Sequence, residues 1–284
     1  MEWRTHNKAI AAGAALGLAA VGAWGLHRAR AGRRAIKKGV FIEHALYDAP
    51  ADALRELGIT WVLVQTGIMK PDRDAWITRD RDALDRLVHR LNPPGSPYNI
   101  EIWGWGWPIP SRVGEFAEHT REILGSPFVT GYCLDIEAKS WSTRDLGEGP
   151  MDASARALIA EIRKGARKPL MLSSHGRADL TPLPWDALAQ LDAGMPQCYD
   201  ADGDKEPGFV GRCVDSYRKL GFSAVIPTLG ASATGPEQMR RQVDELPSGI
   251  RAVSWWTWTQ IGRSAPRAEV VRECCDLAGR KAPV

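Results

Sequence analysis

Asp135 and Glu137 are the residues whose type and spacing speak most directly of chemistry in this chain. They end the apolar stretch VTGYCLDIEAKSW, Val129 to Trp141. Side chains alternate along a strand, so Gly131, Cys133, Asp135 and Glu137 share one face while Tyr132, Leu134 and Ile136 take the other. The apolar set must pack against neighbouring elements, which turns both carboxylates toward the interior of whatever the sheet encloses. Two close carboxylates cannot both ionise freely there. One keeps its proton near neutral pH, the arrangement of a general acid beside an orienting partner. The competing reading is a D-x-E at a strand end, closed by a nearby Lys or Arg.

The elements that position this pair recur along the chain as an apolar run, a loop and a helical pattern. The runs are Gly39 to Tyr47, Thr60 to Ile68, Asn99 to Trp107, the Val129 stretch, Lys168 to Ser174, Ala193 to Asp200, Ser223 to Gly230 and Ala252 to Trp258. Helical patterns follow at Ala51 to Leu57, Asp80 to Leu91, Arg112 to Leu124, Asp152 to Lys164, Pro184 to Leu191, Phe209 to Leu220, Pro236 to Leu246 and Pro266 to Leu277. Strand and helix alternating in this way predict an α/β fold, a (β/α)8 TIM-type barrel. A doubly wound open sheet would need a Gly-rich phosphate turn after the first strand, and EHALYDAPAD has none.

Barrel chemistry sits at the carboxyl ends of the strands. Those ends hold Glu43 and His44, Gln65, then Trp103, Trp105 and Trp107, then Ser173, Ser174 and His175, then Gln197, Tyr199 and Asp200, and finally Trp256, Trp258 and Gln260. Carboxylates, amides, a phenol and Trp rings converging on one mouth compose a sugar-binding cleft, in which ring faces stack on pyranose C–H surfaces and polar tips bond hydroxyls. Gly104 and Gly106 leave the face opposite the three Trp residues bare, which predicts a loop or bulge rather than a packed strand. Glu101 lies deeper and reads as a structural carboxylate with a partner on the barrel wall. Ser173, Ser174 and His175 lack the G-x-S-x-G elbow of a hydrolase triad.

On these residues the chain resembles glycoside hydrolases of the family 25 lysozyme and family 18 chitinase type, which are (β/α)8 or closely related barrels. Leu134 to Glu137, LDIE, is similar to the DxE that ends their fourth strand. Met195 to Asp200, MPQCYD, is similar to the family 18 sixth-strand pattern with a Met, a Tyr and an Asp. Ser254 to Gln260, SWWTWTQ, resembles the Trp-bearing eighth strand of both families, and Glu43 falls where family 25 enzymes carry a first-strand Asp.

The resemblance implies a glycosidase hydrolysing an N-acetylated polysaccharide, with peptidoglycan as the expected substrate, in the manner of a lysozyme or an N-acetylglucosaminidase. Glu137 would protonate the glycosidic oxygen, and Asp135 would orient the substrate's 2-acetamido group, whose carbonyl attacks the anomeric carbon. Tyr199 would steady the acetamido oxygen, and Trp256 or Trp258 would floor the subsite. Glu43, Gln65, Trp103, Trp105, Gln197 and Asp200 complete the expected substrate-binding set. No metal and no organic cofactor is implied. The alternative is a barrel that binds glycan without cleaving it and anchors a membrane or particle assembly to the cell wall.

With 284 residues, 44% apolar and 25% charged, the chain has a globular composition and enough length for such a barrel. The net charge of +3 is unevenly spread: residues 1–38 hold eight Lys and Arg against one Glu, leaving 29 basic against 33 acidic residues in the remainder. An acidic body argues against a nucleic-acid partner. The five cysteines include no C-x-x-C pair and no His at metal-ligand spacing.

From Ala9 to Leu26 runs an uncharged, Ala- and Gly-rich stretch, about long enough at roughly 1.5 Å per residue to cross a thin bilayer. It is expected to form an apolar helix that contacts the membrane, so that residues 1–38 are an anchor or signal-like segment with a basic linker and residues 39–284 the barrel. Six basic residues follow the stretch and two precede it, which by the positive-inside rule keeps the body cytoplasmic, whereas a cell-wall substrate places it outside, facing the envelope. Ala29 and Ala31 form an A-x-A pattern, but Arg30 between them makes a poor site for signal cleavage.

Overall fold

The structure, a computed structural model, describes residues 36–43, 51–68, 81–96, 99–138, 151–199, 206–231 and 235–274. The chain divides into two units, Met1–Arg34 and Ala35–Val284. The first unit, and with it the apolar stretch of residues 9–26, lies outside the described residues. Among the described residues no helix is long and apolar enough to cross a membrane.

Eight parallel strands close into a barrel in chain order: β1 Lys37–Ile42, β2 Ile59–Ile68, β3 Glu101–Trp107, β4 Val129–Asp135, β5 Leu170–His175, β6 Ala193–Gln197, β7 Thr228–Gly230 and β8 Ala252–Trp256. Around them lie α1 Ala51–Glu56, α2 Arg81–Leu91, α3 Val113–Gly125, α4 Met151–Arg163, α5 Trp185–Leu188, α6 Phe209–Lys219, α7 Pro236–Asp244, α8 Trp258–Gly262 and α9 Ala265–Glu273. The expected (β/α)8 architecture is the one observed.

Period-two alternation sorts the strand residues. Val40, Ile42, Val62, Val64, Tyr132, Leu134, Leu172, Val253 and Trp255 turn outward into one apolar layer with Leu54, Leu84, Phe116, Leu158, Val214 and Val270 from the helices. The inward set fills the barrel by pairing large with absent side chains: the Trp61 indole covers Gly39, and the Trp103 indole covers Gly131. A Cβ at either glycine would overlap the ring, so these glycines are there to admit the indoles.

Four sequence expectations change. First, β1 begins at Lys37, so Lys37 and Lys38 are strand residues rather than linker. Lys37 Nζ pairs with Glu101 at 2.9 Å, the wall partner expected for that carboxylate. Lys38 is 1% exposed and its Nζ donates to Val271 O at 2.7 Å near the end of α9.

Second, β3 is a continuous strand rather than a loop, although its register shifts against β2 between Gln65 and Gly67 and against β4 between Ile102 and Trp103. The space opposite its Trp residues is occupied by Tyr132 of β4: a Cβ at Gly104 would meet the Tyr132 ring at 2.7 Å, and one at Gly106 would meet its hydroxyl. Third, β7 shrinks to three residues, because Pro227 has no N–H to give the ladder; Val225 upstream makes only an isolated bridge to Gly194. Fourth, β8 ends at Trp256, and Trp258 opens α8.

Candidate active site

The carboxyl end of β4 delivers the pair of acids as the alternation requires. Asp135, the last residue of the strand, is 6% exposed; Glu137, two residues on, is half-buried. From β6, Gln197 Nε2 lies 3.0 Å from Asp135 Oδ1, 3.1 Å from Glu137 Oε1 and 3.2 Å from Ser173 Oγ. One amide therefore ties both acids to the neck of the barrel. Its NH2 group has two hydrogens to give, so the carboxylates and the Ser173 hydroxyl share them.

The loop that carries Glu137 is held from β5. Ser174 Oγ donates to Ile136 O, Ile136 N donates to Ser173 O at 2.9 Å, and Ala138 N donates to His175 Nε2 at 3.2 Å. Tyr217 of α6 anchors that clasp by donating to His175 O. Two residues before Asp135 on the same face, Cys133 Sγ lies 3.8 Å from Met195 Sδ.

Electrostatics separates the two acids. Burial raises the Asp135 carboxyl to about 8, and the neighbouring Glu137 charge adds to the rise, against opposing hydrogen bonds from Ser173 and Gln197. Asp135, the partner in the expected arrangement and not its general acid, accordingly holds a proton at neutral pH. Tyr199 stays a phenol: burial pushes it well up, and the Asp135, Glu137 and Glu43 carboxylates push the same way.

Tyr199 follows Gln197 on the inner face and fits against Gly230, where a Cβ would meet its own at 2.6 Å. Its ring stacks on Trp256 with centroids 6.3 Å apart and planes 14° from parallel. Trp256 in turn meets Phe41 at 5.1 Å and Trp105 at 5.6 Å, both edge-on. Tyr199 and Trp256 remain half-exposed, whereas Trp105 is 3% exposed. The peptide after Trp256 is cis. Glu43, just past β1, accepts from Thr259 Oγ1 at 3.4 Å.

The structure thus brings Asp135, Glu137, Gln197, Tyr199, Trp256 and Glu43 to the carboxyl end of the barrel. Gln65 is buried beside Trp105 on the neighbouring strand. Trp103, at 4% exposure and covering Gly131, is barrel filling. Trp258 departs furthest from expectation: strand alternation stops at Trp256, and Trp258 packs in the outer apolar layer against Gly262. Asp200 and His44 lie outside the described residues.

Sequence reading gave Ser173 no role in the site and passed over Phe41. Ser173 is the register partner of Asp135 and faces inward with it; its position on β5, two residues before His175, carried that signal. Phe41 bridges Trp105 and Trp256, and it lies two residues before Glu43 on the same face. Among the described residues no group of three or more His, Cys, Asp and Glu could hold a metal ion.

No protein-family model and no curated protein matches the chain by sequence. Solved structures do match in fold. The GH18 chitinase ChiB of Flavobacterium johnsoniae superposes with a TM-score of 0.58 at 13% identity, covering 88% of this chain and 98% of its own. The Bacillus cereus spore cortex-lytic enzyme SleL gives 0.57 at 9% identity, over 86% of this chain and 75% of its own. The xylanase-α-amylase inhibitor protein XAIP-I, solved with trehalose, gives 0.57 at 10% identity, over 83% and 98%. The chain shares the barrel fold of these proteins.

Proposed function

We propose that the barrel is a glycosidase acting on an N-acetylated glycan, with peptidoglycan as its substrate. The observation that carries this reading is the Asp135–Glu137 pair bridged by one Gln197 amide, with the deeper acid protonated at neutral pH. The fold likeness to a chitinase and to a cortex-lytic enzyme supports it.

In this reading the substrate's acetamido carbonyl oxygen forms a bond to the anomeric carbon as the glycosidic C–O bond breaks, and Glu137 delivers a proton to the leaving oxygen. Positive charge then develops on the acetamido nitrogen. A cation at that point favours ionised Asp135, so the proton stored on Asp135 can pass toward Glu137 as the bond breaks. Water then attacks the anomeric carbon as its bond to the acetamido oxygen breaks, Glu137 takes the water's proton and returns it to Asp135, and the acetamido group is restored. The Tyr199 phenol donates to the acetamido oxygen, and the half-exposed Trp256 face receives the sugar ring.

A second reading, glycan binding without cleavage, is supported by the same barrel serving as the inhibitor XAIP-I. Release of reducing ends from purified peptidoglycan, measured beside binding for wild type and Glu137→Gln, separates the two. Equal binding with no turnover in either protein would favour the binding module. Residues 9–26 are proposed to hold the body at the membrane or to direct its export toward the envelope.

A further inference from the structure

Glu137 is held through both of its chain neighbours, and the two holds differ in kind. On the Ile136 side, Ile136 N donates to Ser173 O at 2.9 Å and Ser174 Oγ donates to Ile136 O, contacts made by a peptide carbonyl and a hydroxyl. On the Ala138 side, Ala138 N donates to His175 Nε2 at 3.2 Å. An imidazole nitrogen accepts only while it carries no proton, so this contact defines His175 as neutral, with its hydrogen on Nδ1. A second proton on the ring turns the acceptor into a donor facing the Ala138 N–H, and the contact is lost.

The backbone that carries this imidazole is fixed from two sides. His175 lies in register with Gln197 of β6, and His175 O accepts from the Tyr217 hydroxyl at 2.9 Å. Burial holds the Tyr217 phenol well above its ordinary value, so that anchor stays a donor while the ring titrates. The ring itself is half-buried and within reach of solvent protons. The ionisable groups at this end of the elements packed against it are Asp135 and Glu137 from β4, Cys198 and Tyr199 just past β6, and Cys213 and Tyr217 on α6. Arg177 and Asp179, in the connection that follows His175, pair with each other at 2.6 Å.

We propose that His175 is a positioning residue with a proton-operated release. Neutral, it seats Ala138 and with it the Glu137 backbone; protonated, it frees that side of the segment. Gln197 Nε2 still reaches the Glu137 side chain at 3.1 Å, so release loosens the acid rather than expelling it. The consequence for rate rests on the glycosidase reading, in which Glu137 delivers the proton, while the contact and its titration do not.

The test is 15N NMR of the full-length protein, beside His175→Gln, whose side-chain carbonyl can accept from Ala138 but does not titrate, and His175→Leu, which cannot accept. At neutral pH the wild-type His175 ring should carry its hydrogen on Nδ1 and leave Nε2 bare. Protection of the Ala138 N–H from hydrogen exchange should fall at least about tenfold across the His175 titration in wild type, stay high throughout in His175→Gln and be low throughout in His175→Leu. A ring protonated on Nε2 at neutral pH, or Ala138 protection that ignores the titration, overturns the proposal; both are read on wild type, so neither depends on a variant folding. Where peptidoglycan is hydrolysed, wild-type kcat/KM should fall about tenfold per pH unit below the midpoint measured for the His175 ring, and His175→Gln should lack that limb. The same limb retained in His175→Gln overturns the positioning role. Absence of turnover in all three proteins sinks the glycosidase reading alone, and the tautomer and exchange data still decide this proposal.

Discussion

Gln197 Nε2 lies 3.0 Å from Asp135 Oδ1, so the sixth strand holds the buried acid of the fourth across the barrel neck. Glu137 is reached by the same nitrogen at 3.1 Å, so one amide ties the two acids together.

Replacing Glu137 with Gln removes the proton donor while keeping the shape and the contact to Gln197. Turnover on peptidoglycan should fall at least about 10²-fold with little change in affinity, the scale of a lost general acid. Parallel loss of binding and rate would assign Glu137 a positioning role.

Asp135 sets a pH dependence of stability whose sign follows from its raised carboxyl. In the unfolded chain the group ionises at an ordinary carboxylate value, and in the fold it does so at about 8. Its contribution is fully present below the unfolded value and is lost as pH rises toward 8, because the unfolded chain gives up the proton first. Asp135→Asn cannot ionise. Thermal melts at pH 4, 6 and 8 should show the variant gaining on wild type across that window, and a constant difference would contradict the buried proton.

The packing of Tyr132 into β3 is testable at Gly104. A methyl group there meets the ring at 2.7 Å and Ile123 Cγ2 at 3.1 Å, so Gly104→Ala should cost about 1–3 kcal/mol in denaturant unfolding. Combining it with Tyr132→Leu should recover part of that cost, since the two sites share one space. Simple additivity would show that the glycine serves another purpose.

Trp256 and Trp258 should separate binding from stability. Trp256→Ala is expected to weaken oligosaccharide binding, because its half-exposed ring stacks beside Tyr199. Trp258→Ala should leave binding by the folded protein unchanged and cost about 3–5 kcal/mol, the scale for emptying a buried Trp site. Isothermal titration and chemical denaturation of the two variants distinguish these outcomes.

Removal of residues 1–36 should leave the barrel folded, because β1 begins at Lys37. Lys38→Met should cost about 1.5–3 kcal/mol through the lost charged hydrogen bond to Val271 O. Full-length protein should partition with membranes and the truncated form should not. A reporter fused to the carboxyl terminus then reads which side the body occupies, and a cytoplasmic reading without release by lysis or particle assembly would remove peptidoglycan as the substrate.

The sequence by itself determined the eightfold alternation and the face on which Asp135 and Glu137 lie, because both follow from side-chain period within single segments. It likewise placed Glu101 as a wall carboxylate and Tyr199 at the mouth. What lay beyond it were relations between segments. That Gly104 and Gly106 are filled by Tyr132, that Lys37 and Lys38 belong to β1, and that Gln197 bridges two acids 60 and 62 positions away each depend on strand register and barrel closure. The departure of Trp258 from the mouth, with Trp256 retained there, has the same origin. Periodicity reads the same whether a strand stops at residue 256 or 258, and only the tertiary structure, by turning the chain into α8 after Thr257, decided which indole stacks on Tyr199.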